Sequence, residues 1–409
     1  MGNRKIELLA PAGNFEKLEA AVHFGADAVY LGGRQFSLRN HSGNFTDAEI
    51  ADAVAYAHAQ GVRVYVACNV FARNNERDSI YTHLEEIAKA GADAVIVADP
   101  GIFMAAKAVL GSDVAIHVST QANTTSLLSA TFWAAQGARR INAARELSLS
   151  EIKAIAASVP IEVEAFVHGA MCVAYSGRCL LSHYLAGRDG NRGLCAHACR
   201  WRYFLVEEHR PGEYLPVSED ERGTYFFNAR DLCMIDHIPA MIEAGIASLK
   251  IEGRMKGLNY LAATVKTYRS AIDACYENPA GYRVRKDWRR EMESVNYRGY
   301  STGFYMSDAE SVRPVYTPAA EKSDHRFLGK ICSRMENGGI TVDIKNRVMR
   351  GDAVEIIGPK GPPRKNRVLR VITDTDVDAA AAQPNMKVSL VLEQPDACMP
   401  GDILRQTKR

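Results

Sequence analysis

The chain has 409 residues, enough for two or three domains and a large buried core. At 47% hydrophobic and 24% charged residues it is neither collagen-like nor a disordered polyampholyte, but an ordinary globular protein. A net charge of +2 conceals an asymmetry: residues 325–409 carry 15 Lys and Arg against 10 Asp and Glu, and the remainder carries 35 against 38. A basic C-terminal module suits a polyanionic partner such as RNA, and a solvated surface would read the same. The N-terminal apolar run is too short for a secretion signal, and no run is long enough to span a bilayer. A cytoplasmic protein with reduced thiols and no membrane partner is expected.

Residues 5–11 read as a buried strand. Asn14 then caps a helix that Gly25 ends, and residues 28–33 form the next strand. Thr46 caps a helix stopped by Gly61, ahead of a strand at 62–69. The same succession of amphipathic helix, glycine and β-branched strand recurs at Gly91, Gly137 and Gly245, before strands at 94–98, 140–144 and 248–252, and further strands read at 114–119 and 161–167. Eight such units predict an α/β fold of the TIM-type (β/α)8 barrel class over residues 1–280. An open doubly wound sheet is the alternative, weakened because residues 10–14 lack a Gly-rich phosphate fingerprint. A Cys-rich insertion at 171–223 interrupts the scheme, followed by an extra short strand at 224–228. Residues 281–324 read as a connector. From 325 to 409, short β runs at 327–332, 340–344, 353–357, 367–373 and 387–392, with Gly-Asp turns at 351–352 and 401–402, predict a small β-barrel domain and a candidate RNA-binding module.

Five of the nine cysteines fall between 172 and 233: Cys172, Cys179, Cys195, Cys199 and Cys233. Clustered thiols in a chain without secretory features point to metal ligation before disulfides. Only Cys195 and Cys199 have the short spacing of a zinc hook, and ferredoxin spacings are absent. Spacing alone therefore favours a metal or cluster without choosing one, and His168, His183 and His197 nearby keep zinc as an alternative. A Cys–His nucleophile, with Cys172 or Cys179 activated by His168, is a further reading that leaves the other thiols unexplained.

The run from Glu164 to Ser182, Glu-Ala-Phe-Val-His-Gly-Ala-Met-Cys-Val-Ala-Tyr-Ser-Gly-Arg-Cys-Leu-Leu-Ser, resembles the signature of peptidase family U32, the collagenase-like proteins. Matching segments begin at Glu7, Gly25, His117, Ala144 and Leu249, so the likeness covers nearly the whole chain. Within the family it is most similar to the tRNA hydroxylation proteins. That resemblance implies oxygen-independent hydroxylation of the tRNA wobble uridine to 5-hydroxyuridine, with prephenate or a related small dicarboxylate as hydroxyl donor. It also implies a 4Fe-4S cluster on Cys172, Cys179, Cys195 and Cys233, with Cys199 as the alternative fourth ligand, and an electron donor or partner protein. A peptidase acting on collagen-like or other peptides and a non-catalytic cluster-binding scaffold are the rival functions. Neither a zinc-protease His-Glu-x-x-His motif nor a serine elbow is present.

Barrel chemistry belongs at the C-terminal strand ends. Those positions here are Tyr30, Asn69, Asp99, Ser119, Thr120, Gln121, Arg145, Glu146, His168, Lys250, Glu252 and Arg254. Arg145 and Arg254 are expected to bind a dicarboxylate, with Arg178 a third donor. Gln121 would orient a substrate hydroxyl, His168 would serve as acid or base, and Tyr30 would stack on a base. Lys250 and Glu252 complete the expected substrate site. Plain structural roles are the rival for each: Arg254 paired with Glu252, Arg145 with Glu146. Arg188, Arg192, Arg200, Arg202, Trp201 and Tyr203 mix cations and aromatics as RNA surfaces do, and Lys360, Arg364, Lys365, Arg367 and Arg370 form a second basic group.

Overall fold

The helix–glycine–strand repeat closes on itself. The computed structural model describes residues 5–38, 43–172, 174–200, 218–220, 223–225, 230–295, 299–306, 325–335, 339–394 and 398–407. Eight parallel strands line up in order: β1 (Glu7–Pro11), β2 (Ala28–Gly32), β3 (Arg63–Cys68), β4 (Ala94–Val97), β5 (Ala115–Val118), β6 (Arg140–Asn142), β7 (Glu162–Gly169) and β8 (Ser248–Ile251). β8 pairs with both β7 and β1, so the sheet is a closed barrel and not an open doubly wound sheet. The expected caps form: Asn14 accepts from the Lys17 amide, and Thr46 and Glu49 make a reciprocal capping box.

Strand residues alternate between the axis and the surrounding helices. On β6, Ile141 joins the apolar layer under the helices, while Arg140 and Asn142 lie on the axial side. The axial core is apolar only in part, built on Leu9, Ala28, Tyr30, Tyr65, Ala94 and Ile96. Below these lies a charged layer. Arg140, 2% exposed, donates to Glu7 at 2.7 Å, to Glu164 at 3.1 Å, and through Nε and Nη2 to Glu162 at 2.9 and 2.6 Å. Tyr65 Oη and Ser248 Oγ each donate to Glu7 at 2.7 Å, and Arg63 pairs with it as well.

The insertion leaves the end of β7 and returns through a short strand, Asp231–Cys233, which pairs antiparallel with β7. The extra strand expected at 224–228 is present as Gly223–Tyr225, paired with Ser218–Asp220; residues 226–229 lie outside the described set. The connector contains a helix, Lys286–Glu293, and a two-residue strand, Tyr300–Ser301, that extends the sheet beside Asp231–Cys233. Residues 307–324 lie outside the described set.

The C-terminal domain is a closed antiparallel barrel of His325–Arg334, Ile340–Ile344, Ala353–Ile357, Arg364–Ile372, Lys387–Leu392 and Ile403–Thr407. It docks on the (β/α)8 barrel through buried charge. Arg405 donates to Glu291 at 2.6 and 3.0 Å and to Glu355 at 3.0 Å, and His23 meets Asp402 at 3.0 Å. Hydrogen bonding from His325 and the Arg405 guanidinium pull the Glu355 carboxyl down to about 2.

Replacing Arg140 with Met leaves Glu7 and Glu164 buried without their main partner. The expected cost is about 3–5 kcal/mol, read as a fall in the urea midpoint; an unchanged midpoint would remove this layer from the account of stability. Burial pushes the Glu7 pKa up, but Arg140, Arg63 and Tyr65 outweigh it and hold the carboxyl below its usual 4.5. Its contribution is therefore complete above that value and is lost as the pH falls through the lowered pKa. Denaturant titrations of wild type should lose stability on acidification in that range, and the Arg140→Met variant should lose less.

Candidate active site

The C-terminal ends of the barrel strands surround a cavity of ≈ 370 Å3, roofed by the insertion. Its floor and walls come from Tyr30, Asn69, Ile96, Asn142, Phe166 and Lys250. Cys172, Cys179, Cys195 and Cys199 line its upper part. Of the expected strand-end, substrate and cysteine positions, Asp99, Glu146, His168, Arg178 and Cys233 do not border it, and the others do.

The cations of the wall are held differently. Lys250 Nζ donates to buried Glu164 at 2.8 Å and lies over the Tyr30 ring at 4.6 Å. It links the charged layer below to the cavity above. Tyr30 is 7% exposed, its ring covered by Lys250 and its hydroxyl donating to the Ile251 carbonyl at 3.0 Å, so it walls the cavity and does not offer a face for stacking. Arg254 borders the cavity but is not paired with Glu252. Its Nη2 donates to Ser37 Oγ at 2.9 Å and to the Leu38 carbonyl, bracing the segment after β2. Arg145 takes the place beside Glu252, with Nη2 3.8 Å from Oε2, beyond hydrogen-bond length, and the guanidinium 4.1 Å from the Phe166 ring centroid. Arg145 is thus the guanidinium best placed to receive a carboxylate.

The insertion is pinned over the cavity by polar contacts. Glu146, expected beside Arg145, instead accepts from Ser176 N at 2.5 Å and Ser176 Oγ at 2.6 Å, holding a left-handed turn at Ser176 with φ of 44°. Arg178 is exposed and outside the cavity; its Nε donates to the Gln121 carbonyl at 2.9 Å and its guanidinium stacks on Phe71 at 5.1 Å. Gln121 Oε1 receives Asn69 Nδ2 at 2.9 Å and Ser119 Oγ at 3.2 Å, so the carbonyl end of its amide stitches barrel loops. Arg192 pairs with Glu76 and donates to the Phe71 carbonyl at 2.6 Å, a tether and not an RNA-facing cation. Arg188 Nε donates to the Leu194 carbonyl. Trp201, Arg202 and Tyr203 lie outside the described residues, as does the side chain of Arg200. In the C-terminal domain Arg364 turns to Asp402 and Arg370 to Asp378, leaving Lys360, Lys365 and Arg367 exposed.

His168 is a correction to the expected acid–base role. A register shift in the β7–β8 pairing sets Phe166 opposite Lys250 and His168 opposite Ile251, skipping one residue. Phe166 borders the cavity, and His168 turns away into a cage of Tyr260, Tyr268 and Tyr300. Its Nδ1 meets Tyr268 Oη at 3.3 Å, and its Nε2 has no hydrogen-bond partner among the described residues. Burial, with Lys256 adding, pushes its pKa down to about 3. Neither ring nitrogen engages Cys172 or Cys179, so the thiol–imidazole pair of a cysteine nucleophile does not form.

Cys172, Cys179, Cys195 and Cys199 line the cavity, and Cys233 lies outside it. Among the described residues no three His, Cys, Asp or Glu side chains gather as metal ligands. The donor chemistry nevertheless suits a thiolate-held group. Cys179 accepts from the Leu181 amide and Cys195 from the His197 amide, each at 3.4 Å. Backbone N–H groups on sulfur stabilise thiolates and tune clusters. Cys233 borders the His168 cage with its sulfur 3.6 Å from Tyr268 Oη, and burial raises its pKa. Cys199, by contrast, lines the cavity. Asn142 and Phe166 border the cavity from within their strands and not from the positions just past them; the alternation from Arg140 to Asn142 is the sequence signal for the first.

The fold and site define a (β/α)8 barrel with a thiol-lined cavity under an insertion and a β-barrel appended. Residues 13–313 match peptidase family U32, and residues 323–405 match the peptidase family U32 C-terminal domain. The chain belongs to this family. It is 37% identical over 408 residues to tRNA hydroxylation protein P1 of Bacillus subtilis (strain 168), covering 99% of this chain and 96% of that one. It is 35% identical to tRNA hydroxylation protein P of Escherichia coli (strain K12), covering 87% of each. It is 34% identical to the 23S rRNA 5-hydroxycytidine C2501 synthase of the same organism, covering 88% of this chain and 56% of that protein. Among the described residues no helix is long and apolar enough to cross a membrane.

Replacing Glu146 with Ala should release Ser176 and loosen the roof. Two charge-assisted hydrogen bonds are worth at least about 2 kcal/mol together, so cleavage within 171–200 by a nonspecific protease should accelerate roughly tenfold or more. Unchanged cleavage would show that other contacts hold the roof. His168 should stay neutral in a histidine NMR titration from about pH 5 to 8; protonation in that interval would contradict its burial.

Proposed function

We propose that this protein is an enzyme that hydroxylates RNA, and that its substrate is the wobble uridine of tRNA, converted to 5-hydroxyuridine with prephenate as the hydroxyl donor. The observation that carries this reading is one cavity that unites four cysteines, an arginine held only loosely by its acidic neighbour, and a wall of amides, in a chain matching tRNA hydroxylation proteins nearly end to end. Arg145 is assigned to one carboxylate of the donor, with Lys250 supplying further positive potential at the floor. Glu252 keeps Arg145 oriented across the wall. The exposed Lys360, Lys365 and Arg367 of the C-terminal barrel are assigned to RNA phosphates, contacts that position without specifying sequence.

A 4Fe-4S cluster is assigned to Cys172, Cys179, Cys195 and Cys233, on the amide-to-sulfur hydrogen bonds of Cys179 and Cys195 and the resemblance in sequence. When bound, such a group supplies or accepts single electrons beside the reacting base. Cys199 is the competing fourth ligand, because it lines the same cavity. The cellular site of action is the cytoplasm, where the thiols stay reduced.

The test is anaerobic purification with iron and sulfide analysis, followed by incubation with tRNA with and without prephenate and nucleoside mass spectrometry. About four irons per chain, lost in Cys172→Ala and Cys233→Ala but kept in Cys199→Ala, and a one-oxygen mass gain on uridine that needs prephenate, are expected. Iron kept in Cys233→Ala and lost in Cys199→Ala would reassign the fourth ligand. A zinc-loaded or metal-free protein that leaves tRNA unchanged would overturn the reading.

A further inference from the structure

Asn142 ends β6 on the axial side, one inward position above Arg140. It is 3% exposed and borders the cavity, yet its Oδ1 has no hydrogen-bond partner among the described residues. Leaving an amide oxygen buried and unpaired costs about 1–3 kcal/mol. Asparagine is also a poor strand residue, so neither local propensity nor packing accounts for it.

The neighbouring polar groups close their own hydrogen bonds. Asn69 and Ser119 both donate to Gln121 Oε1, and Thr120 Oγ1 donates to the Ala143 carbonyl at 3.3 Å. What Asn142 Oδ1 lacks is a donor. The carboxylates of a dicarboxylate bring acceptors alone, which suit Arg145 and Lys250; a hydroxyl on the same molecule meets Oδ1 with one bond and leaves the paired donor–acceptor face of the amide half used. A pyrimidine with N3–H flanked by carbonyls brings both. An amide meets such an edge with two parallel bonds, Oδ1 receiving N–H and Nδ2 donating to the adjacent carbonyl. Ile96 and Phe166 give the same space apolar walls for a flat ring.

We propose that Asn142 reads the hydrogen-bonding edge of the target uracil, its Oδ1 accepting from N3–H. This rests on the RNA-hydroxylation reading above and adds the residue that identifies the base. The base must then leave its stack to enter the cavity, which favours an unpaired loop nucleotide.

The test compares the cluster-loaded full chain and its Asn142→Ala variant on anticodon stem-loop RNAs carrying uridine or 3-methyluridine at the target. Methylation removes the N3 donor. Wild type should lose about tenfold or more in kcat/KM on methylation, the range of a single specific base contact. Asn142→Ala should already be down by about tenfold on uridine and lose less than about threefold more on methylation, because the contact is gone. An equal methylation penalty in both proteins would overturn the proposal while RNA hydroxylation stands. A loaded wild type that hydroxylates neither RNA would overturn the function reading and this inference with it. Should Asn142→Ala fail to fold, Asn142→Ser carries the same comparison.

Discussion

Arg140 is the residue on which the barrel depends. It sits on the axis with Glu7, Glu162 and Glu164 around it, and these come from two other strands of the ring, β1 and β7. A guanidinium buried this deeply is stable only because its donors are matched to carboxylates at short distance. The arrangement also fixes what lies above it. Glu164, shared by Arg140 and Lys250, places the lysine at the cavity floor, and Lys250 in turn covers Tyr30. The polarity of the site is therefore continuous with the polarity of the core.

Above that floor the cavity is divided by chemistry. Arg145 and Glu252 form a charged side, packed on Phe166; the ends of β3, β5 and β6 contribute an amide and hydroxyl side through Asn69, Gln121, Ser119 and Asn142. The insertion adds sulfur from above. Its fixation through Glu146, Arg178 and Arg192 uses three separate loops of the barrel, so the roof and the strand ends form one unit. The C-terminal barrel is tied to the outside of the same scaffold through Arg405, Asp402 and apolar contacts of Ile357 and Ile403 with the main core.

Much of this was legible in the residues. The glycine-stopped helices and β-branched strands gave all eight barrel strands, and the Asn14 and Thr46 caps formed as their chemistry requires. The thiol-rich insertion interrupts the repeat after β7, where the sequence turns rich in Cys, Arg and Gly. Individual side chains were harder. Arg254 and Tyr30 stand at strand ends, but their partners, Ser37, the Leu38 carbonyl and Lys250, come from neighbouring loops and strands that local pattern does not reveal. His168 was misplaced by one skipped residue in the β7–β8 register, which a period-two reading cannot detect. Asn142 shares the phase of Arg140, but residues 140–144 read as one strand with its end at 144, whereas β6 stops at Asn142.

The most direct measurement is the 5-hydroxyuridine content of total tRNA, by nucleoside mass spectrometry, from cells lacking this chain and supplied with wild type or with Arg145→Met. Wild type should restore the modified nucleoside, and Arg145→Met, folded and cluster-loaded to the same extent, should restore about a tenth or less. Equal restoration by both would place the chemistry away from the barrel-mouth cavity, and no restoration by wild type would contradict the assigned reaction.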